Sequence, residues 1–239
     1  MKGRSSKFLK RWLITVAIFS LVISFSVMAL VGCQKSKVKE EETSKKVSVG
    51  ISEEAALPVS QGEPLKVDAE KKTVYVYAEV NGKYLYEPTR HGIVFKDGSN
   101  GDKAVFRAYA KALDFWNKLN ELGAEPGDNV TPESPEGTIV QGDVLEVKVN
   151  WAGAQREYDI SEVIKSKPDK GFEIRFGGNK ERQAKFKTGC ILCLDSCAAG
   201  ITSNARWGWK SFETGKVKFT GDPDLLKDGQ PVVVSFTLK

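Results

Sequence analysis

Histidine is almost missing from this chain: 239 residues contain one, His91. No nucleophile motif surrounds any serine either, so a Ser-His-Asp arrangement is not expected. The chain has no P-loop and no G-x-G-x-x-G, which removes the common phosphate- and dinucleotide-cradling loops. Charge imbalance is also missing once the first residues are set aside. The formal +5 comes from Lys2, Arg4, Lys7, Lys10 and Arg11, and from Cys33 onward 31 basic residues face 31 acidic ones. A chain without a basic footprint is not expected to bind nucleic acid. No catalytic constellation assembles, so a binding or electron-transfer role is expected rather than an enzyme.

What is present begins with an address. A positive stretch is followed by residues 12–32, which are uncharged and rich in Leu, Ile, Val and Phe. A run of this length can span a bilayer, but small residues before a cleavage point mark an export signal instead. Leu30-Val31-Gly32-Cys33 resembles the lipobox of bacterial lipoproteins. That resemblance implies cleavage before Cys33 and lipidation of its thiol. Two or three acyl chains then give a stable anchor, which one chain does not. Residues 1–32 are therefore expected to be a lipoprotein signal peptide. The rest is expected in the cell envelope, held to the bilayer on the extracytoplasmic side.

Residues 33–64 read as a lipidated tether. Lysine and glutamate crowd it, and large apolar residues are few. Such a segment cannot bury enough surface to offset its ordering entropy. Residues 65–239 have globular composition and no internal repeat, and fit one domain with its own core.

Within that domain the pattern is strand-rich. Residues 73–80 carry β-branched and aromatic residues at strand density, and Asn81-Gly82 predicts a hairpin returning through residues 83–86. Leu113, Trp116, Leu119 and Leu122 recur every third position and predict a helix over 112–122, stopped by Gly123. Residues 138–151 alternate, with Leu145, Val147, Val149 and Trp151 on one face. Further strands are predicted over 172–176, 216–220 and 232–238. Short strands joined by turns predict antiparallel pairing. The expected class is α+β: mainly antiparallel β, sandwich-like, with one main helix.

Cysteine is scarce but clustered. Apart from Cys33, the three cysteines fall within eight residues, as Cys190-Ile-Leu-Cys193-Leu-Asp-Ser-Cys197. Three readings compete. C-x2-C-x3-C equals the last three cysteines of a bacterial ferredoxin run, although Lys187 stands where the first would be and Ala198 replaces the usual proline. Three thiolates hold a cluster only with a fourth ligand or an open iron, and His91 can supply the ligand; Cys190, Cys193, Cys197 and His91 then suit an iron–sulfur cluster or zinc. Alternatively, Cys190 and Cys193 form a redox pair, with Lys180, Arg182, Lys185 and Lys187 favouring the thiolate. The third reading is a structural disulfide, common outside the cytoplasm. Ser5 and Ser6 stand where a twin-arginine signal has its arginines, so passage in an unfolded state is expected, without a preassembled cluster. Trp207 and Trp209 would share a face if extended. They either cap the edge of the core or offer an aromatic contact surface to a redox or envelope protein partner.

Four segments carry a family resemblance: residues 77–82, Pro88-Thr89-Arg90-His91-Gly92, Leu122-Gly123-Ala124-Glu125-Pro126-Gly127, and Gly142-Asp143 before a long strand. Over residues 67–239 the chain resembles the YdjY-like domain family of bacterial lipoproteins. Its loop of Cys190, Cys193 and Cys197 resembles the ferredoxin-like variant of that family. The resemblance implies that domain and cysteine loop form a unit. It does not choose between cluster, zinc and disulfide.

Overall fold

A computed structural model describes residues 57–239. The signal segment, Cys33 and the tether up to residue 56 lie outside the described residues.

The domain is a closed β-barrel. Its eight staves, in order around the ring, are β2 (Thr73–Val80), β12 (Pro231–Leu238), β5 (Val144–Asn150), β8 (Ile174–Phe176), β10 (Thr202–Asn204), β9 (Cys190–Cys193), β3 (His91–Phe95) and β4 (Ala104–Ala108), which pairs back onto β2. Closure depends on β2 sharing one edge between two partners. Its first half pairs with β1 (Leu65–Asp68), and its second half with β4, where Ala78 faces Ala108 and Val80 faces Phe106. A short β6 (Tyr158–Asp159) adds to β5. Separately, β7 (Ile164–Lys167) and β11 (Lys218–Gly221) form a two-stranded sheet. The helices are α1 (Ala112–Glu121), α2 (Ile160–Val163) and α3 (Lys180–Phe186).

This corrects the expected class. The fold is not an α+β sandwich with one main helix; it is a barrel, and its helices are small. Two pairings, β3 with β4 and β9 with β10, are parallel, and these join the walls that a meander would leave open. Closing the sheet removes its unpaired edges, which a sandwich must protect in other ways.

Alternation fills the interior. Val74, Val76, Ala78 and Val80 of β2 point inward, as do Leu145, Val147 and Val149 of β5 and Val232, Val234 and Phe236 of β12. The outward Tyr77 and Val233 instead gather Val59 in a small cluster of their own. The stripe of α1 differs slightly from the expected one. Ala112, Phe115 and Leu119 face the core at i, i+3 and i+7, and Phe115 meets Phe236 edge-on at 4.7 Å between ring centres. Each fully buried aromatic of this kind stabilises by roughly 1.5–3 kcal/mol.

The expected hairpin at Asn81-Gly82 does not form. Residues Gly82–Leu85 make a 3-10 turn that buries Tyr84 and Leu85. The Asn81 N–H donates to Val105 O, and the Gly82 N–H donates to Asp228 Oδ1 at 2.8 Å. Tertiary partners thus take the groups that a local hairpin would have paired.

Candidate metal centre

The site is built on the wall made by β3, β9 and β10. On a regular strand, residues three apart face opposite sides, so Cys190 and Cys193 should diverge. They do not, because the β3–β9 pairing is twice irregular. His91 pairs with Cys193, Ile93 with Leu192, and Val94 with Cys190. Gly92 is therefore extra on β3 and Ile191 is extra on β9, and the two bulges compensate. Ile191 and Leu192 both enter the main core, and both cysteines stay on the outer face with Val94 and Ala104. Glycine suits the bulge at Gly92, where a Cβ would stand 2.9 Å from Leu194 Cδ2.

The same register sets a row across three strands. His91 lies beside Cys193, and Ser203 lies beside Cys193 on the other side, in the parallel β9–β10 pair. Residues 194–201 join β9 to β10 and carry Cys197 back over this face. A parallel connection this short must fold tightly, and its buried backbone groups need partners. Asn179, in the left-handed region at φ 58°, donates through Nδ2 to Cys197 O at 3.0 Å and Gly200 O at 2.8 Å. Gln183 Nε2 donates to Ala199 O and Cys190 O, and Arg182 Nε donates to Ala198 O. At Gly200 a Cβ would stand 2.8 Å from Cys193 Sγ, so only glycine lets the loop come this close.

The donor atoms converge. A ring nitrogen of His91, Cys190 Sγ and Cys193 Sγ all lie within 4.8 Å of one another, a group able to hold a metal ion. Cys190 Sγ is 3.6 Å from His91 Nδ1. Cys197 stands next to Cys193, outside that tight group, and its Sγ accepts the Ala199 N–H at 3.4 Å. The three cysteines are buried and free of disulfides, while His91 is half-buried.

The crowded thiols are pushed in opposite directions. Hydrogen bonding with Cys190 and Cys197, together with burial, pushes the Cys193 pKa well above the usual thiol value. Cys190 is held well below it, first by the hydrogen bond from Cys193, against burial, and then by His91. Cys197 moves down for the same first reason, with Arg90 also contributing.

Arg90, rather than the lysines before the loop, is the cation at the sulfurs. Burial opposes its charge, but Cys197, Asp195, Cys193 and Glu213 outweigh this and raise its pKa. Its Nη2 pairs with the fully buried Asp195 at 2.8 Å, its Nη1 pairs with Glu213, and its guanidinium lies 5.1 Å from the ring centre of Trp209. Of the cations expected to act on the thiols, Arg182 clamps loop carbonyls and Lys180 sits 3.9 Å above Trp116. Trp207 is buried in the main core with Lys170 Nζ 4.1 Å above it. Trp209 is half-buried and packs against the cysteine cluster.

Sequence reading missed Asn179, Gln183, Asp195 and Ser203. Gly177-Gly178-Asn179 carried a turn signal, but nothing local ties that turn to a loop some twenty residues on.

Residues 65–237 match the YdjY domain. The chain is also 44% identical over 182 residues to the "Uncharacterized protein YdjY" of Escherichia coli (strain K12), covering 75% of this chain and 81% of that protein. No solved structure matches.

Proposed function

The chain belongs to the YdjY domain family, and within that scaffold we propose that His91, Cys190, Cys193 and Cys197 bind a single zinc-like metal ion. The observation that carries this is the spacing of three of the donors, His91, Cys190 and Cys193; Cys197, next to Cys193, is proposed as the fourth. Zinc takes sulfur at about 2.3 Å and histidine nitrogen at about 2.0–2.1 Å in a tetrahedron, which separates sulfur from nitrogen by about 3.6 Å. Cys190 Sγ and His91 Nδ1 stand 3.6 Å apart, with Cys193 Sγ close to both. An iron–sulfur cluster, which the ferredoxin-like spacing also suggests, spreads its cysteines over separate irons and needs wider separations. Donor atoms confined within 4.8 Å of one another favour one ion. Four protein ligands would leave no open position, so the reading is a binding or structural centre rather than a catalytic one.

The test is the full chain, purified in detergent without air and assayed for metals, acid-labile sulfide and visible absorption. A single ion per chain without sulfide is expected, lost in Cys190→Ser/Cys193→Ser. A folded protein that takes up no zinc or cobalt when offered sinks the proposal. Iron with sulfide would favour the cluster instead. A mass lower by two hydrogens would mark a Cys190–Cys193 disulfide and favour thiol redox chemistry.

The residue order before Cys33 supports a second part of the reading: a lipoprotein anchored to the bilayer through the Cys33 acyl chains, on the extracytoplasmic side. Cys33→Ala should move the protein from the membrane fraction to the soluble one. An unchanged distribution, with no lipid mass on the mature N-terminus, excludes it. An envelope partner would meet the metal site at His91, the one ligand that is not buried.

A further inference from the structure

Ser203 is fully buried, yet its hydroxyl has no hydrogen-bond partner. Buried hydroxyls are nearly always paired, and each exception needs a cause. The neighbourhood supplies one. Ser203 is the β10 residue paired with Cys193. Its Oγ and Cys193 Sγ both border the point where a Cβ on Gly200 would stand, 3.1 and 2.8 Å from it. Trp209, packed against the same cysteines, likewise has a buried Nε1 without a partner. Two residues that border the sulfurs thus each hold an unused donor. A neutral thiol is a poor acceptor, whereas a metal-bound thiolate accepts well and is commonly oriented by such outer donors.

We propose that Ser203 is a positioning residue whose hydroxyl donates a hydrogen bond to the Cys193 thiolate of the metal-loaded site. This rests on the metal-binding reading. It goes beyond the ligand set by assigning a role to the third member of the row His91–Cys193–Ser203. The hydroxyl fixes the direction of the sulfur lone pairs toward the ion. It also lowers the energy of the thiolate electrons, so its contribution appears only on loading.

The experiment compares the wild-type full chain in detergent with Ser203→Ala, using cobalt(II) and zinc as probes. Three quantities are read: metal affinity by competition with a chelating indicator, the energy of the cobalt–thiolate charge-transfer band, and the unfolding midpoint of the metal-free protein. Ser203→Ala should weaken binding about 10–100-fold, the usual cost of losing an outer-shell partner. The band should move to lower energy. The metal-free midpoint should hold or rise, because only an unpaired hydroxyl is removed. Wild-type affinity and band energy in Ser203→Ala overturn this proposal and leave the metal site standing. So does a fall in metal-free stability with an unmoved band, which would make Ser203 merely structural. Wild-type protein that binds neither metal overturns both readings.

Discussion

Replacing Asp195 tests whether the site is held by a buried charge. Its carboxylate is wholly inaccessible and accepts from Arg90 Nε at 3.0 Å, from Arg90 Nη2 at 2.8 Å and from the Phe212 N–H at 3.2 Å. Arg90 is itself only 11% exposed. Asp195→Ala therefore leaves a buried guanidinium short of its main partner, a change that costs about 3–5 kcal/mol. Glu213 still reaches Arg90 from a half-exposed position, so the lower end, about 3 kcal/mol, is expected. For a domain of this size that is a drop of roughly 6–12 °C in Tm. Urea unfolding at pH 7 measures it directly. Asp195→Leu combined with Arg90→Leu should lose much less, because no charge is stranded. The pH profile gives a second reading. Burial raises the pKa of Asp195 above 3.8, and Arg90 offsets this only in part. The folded state thus holds the proton more tightly than the unfolded one. This contribution to stability is present at low pH and declines as pH rises from 3.8 through the raised value. Asp195→Ala should lack that decline. A stability change under about 0.5 kcal/mol, together with an unchanged pH profile, would refute the reasoning.

Other outcomes follow from the same geometry. Gly200→Ala would place a methyl 2.8 Å from Cys193 Sγ and 2.9 Å from Thr202 O; it should cost about 1–3 kcal/mol by overpacking and weaken cobalt binding, both read by titration and unfolding. Asn179→Ala would strip two loop carbonyls of their donor and put alanine at φ 58°, a loss of roughly 2–4 kcal/mol; Asn179→Gly should lose less, since it keeps the backbone freedom. Glu162, bound first by Arg156 and then by the Asp159 N–H, should titrate at about 2 instead of 4.5 by NMR. Its support for the fold is full above pH 4.5 and lost as pH falls toward 2, and Arg156→Ala should return the midpoint toward the ordinary value.

Much of the local structure was legible. The alternation over 138–151 marked Leu145, Val147 and Val149 as one face, and all three are buried. The helix after Lys111 was readable from its apolar recurrence, although its core stripe is Ala112, Phe115 and Leu119 rather than Leu113, Trp116, Leu119 and Leu122. The hairpin signal at Asn81-Gly82 failed because Val105 and Asp228, both distant in sequence, captured those backbone groups. Strand β9 was hidden because Cys-Ile-Leu-Cys has neither the alternation nor the turn residues that mark a strand. The parallel pairs that close the barrel depend on connections whose direction no local pattern encodes.

The sequence alone determined the inventory: which residues carry sulfur and imidazole, how few they are, and that the strands alternate to make one apolar interior. Only the tertiary structure decided that these groups meet. Cys190 and Cys193 share a face because the bulge at Ile191 reverses the parity of β9, and the bulge at Gly92 on β3 compensates the register. His91 joins them because β3 lies beside β9 in the closed ring. Side-chain direction on a strand follows register, and register is set by partners far along the chain.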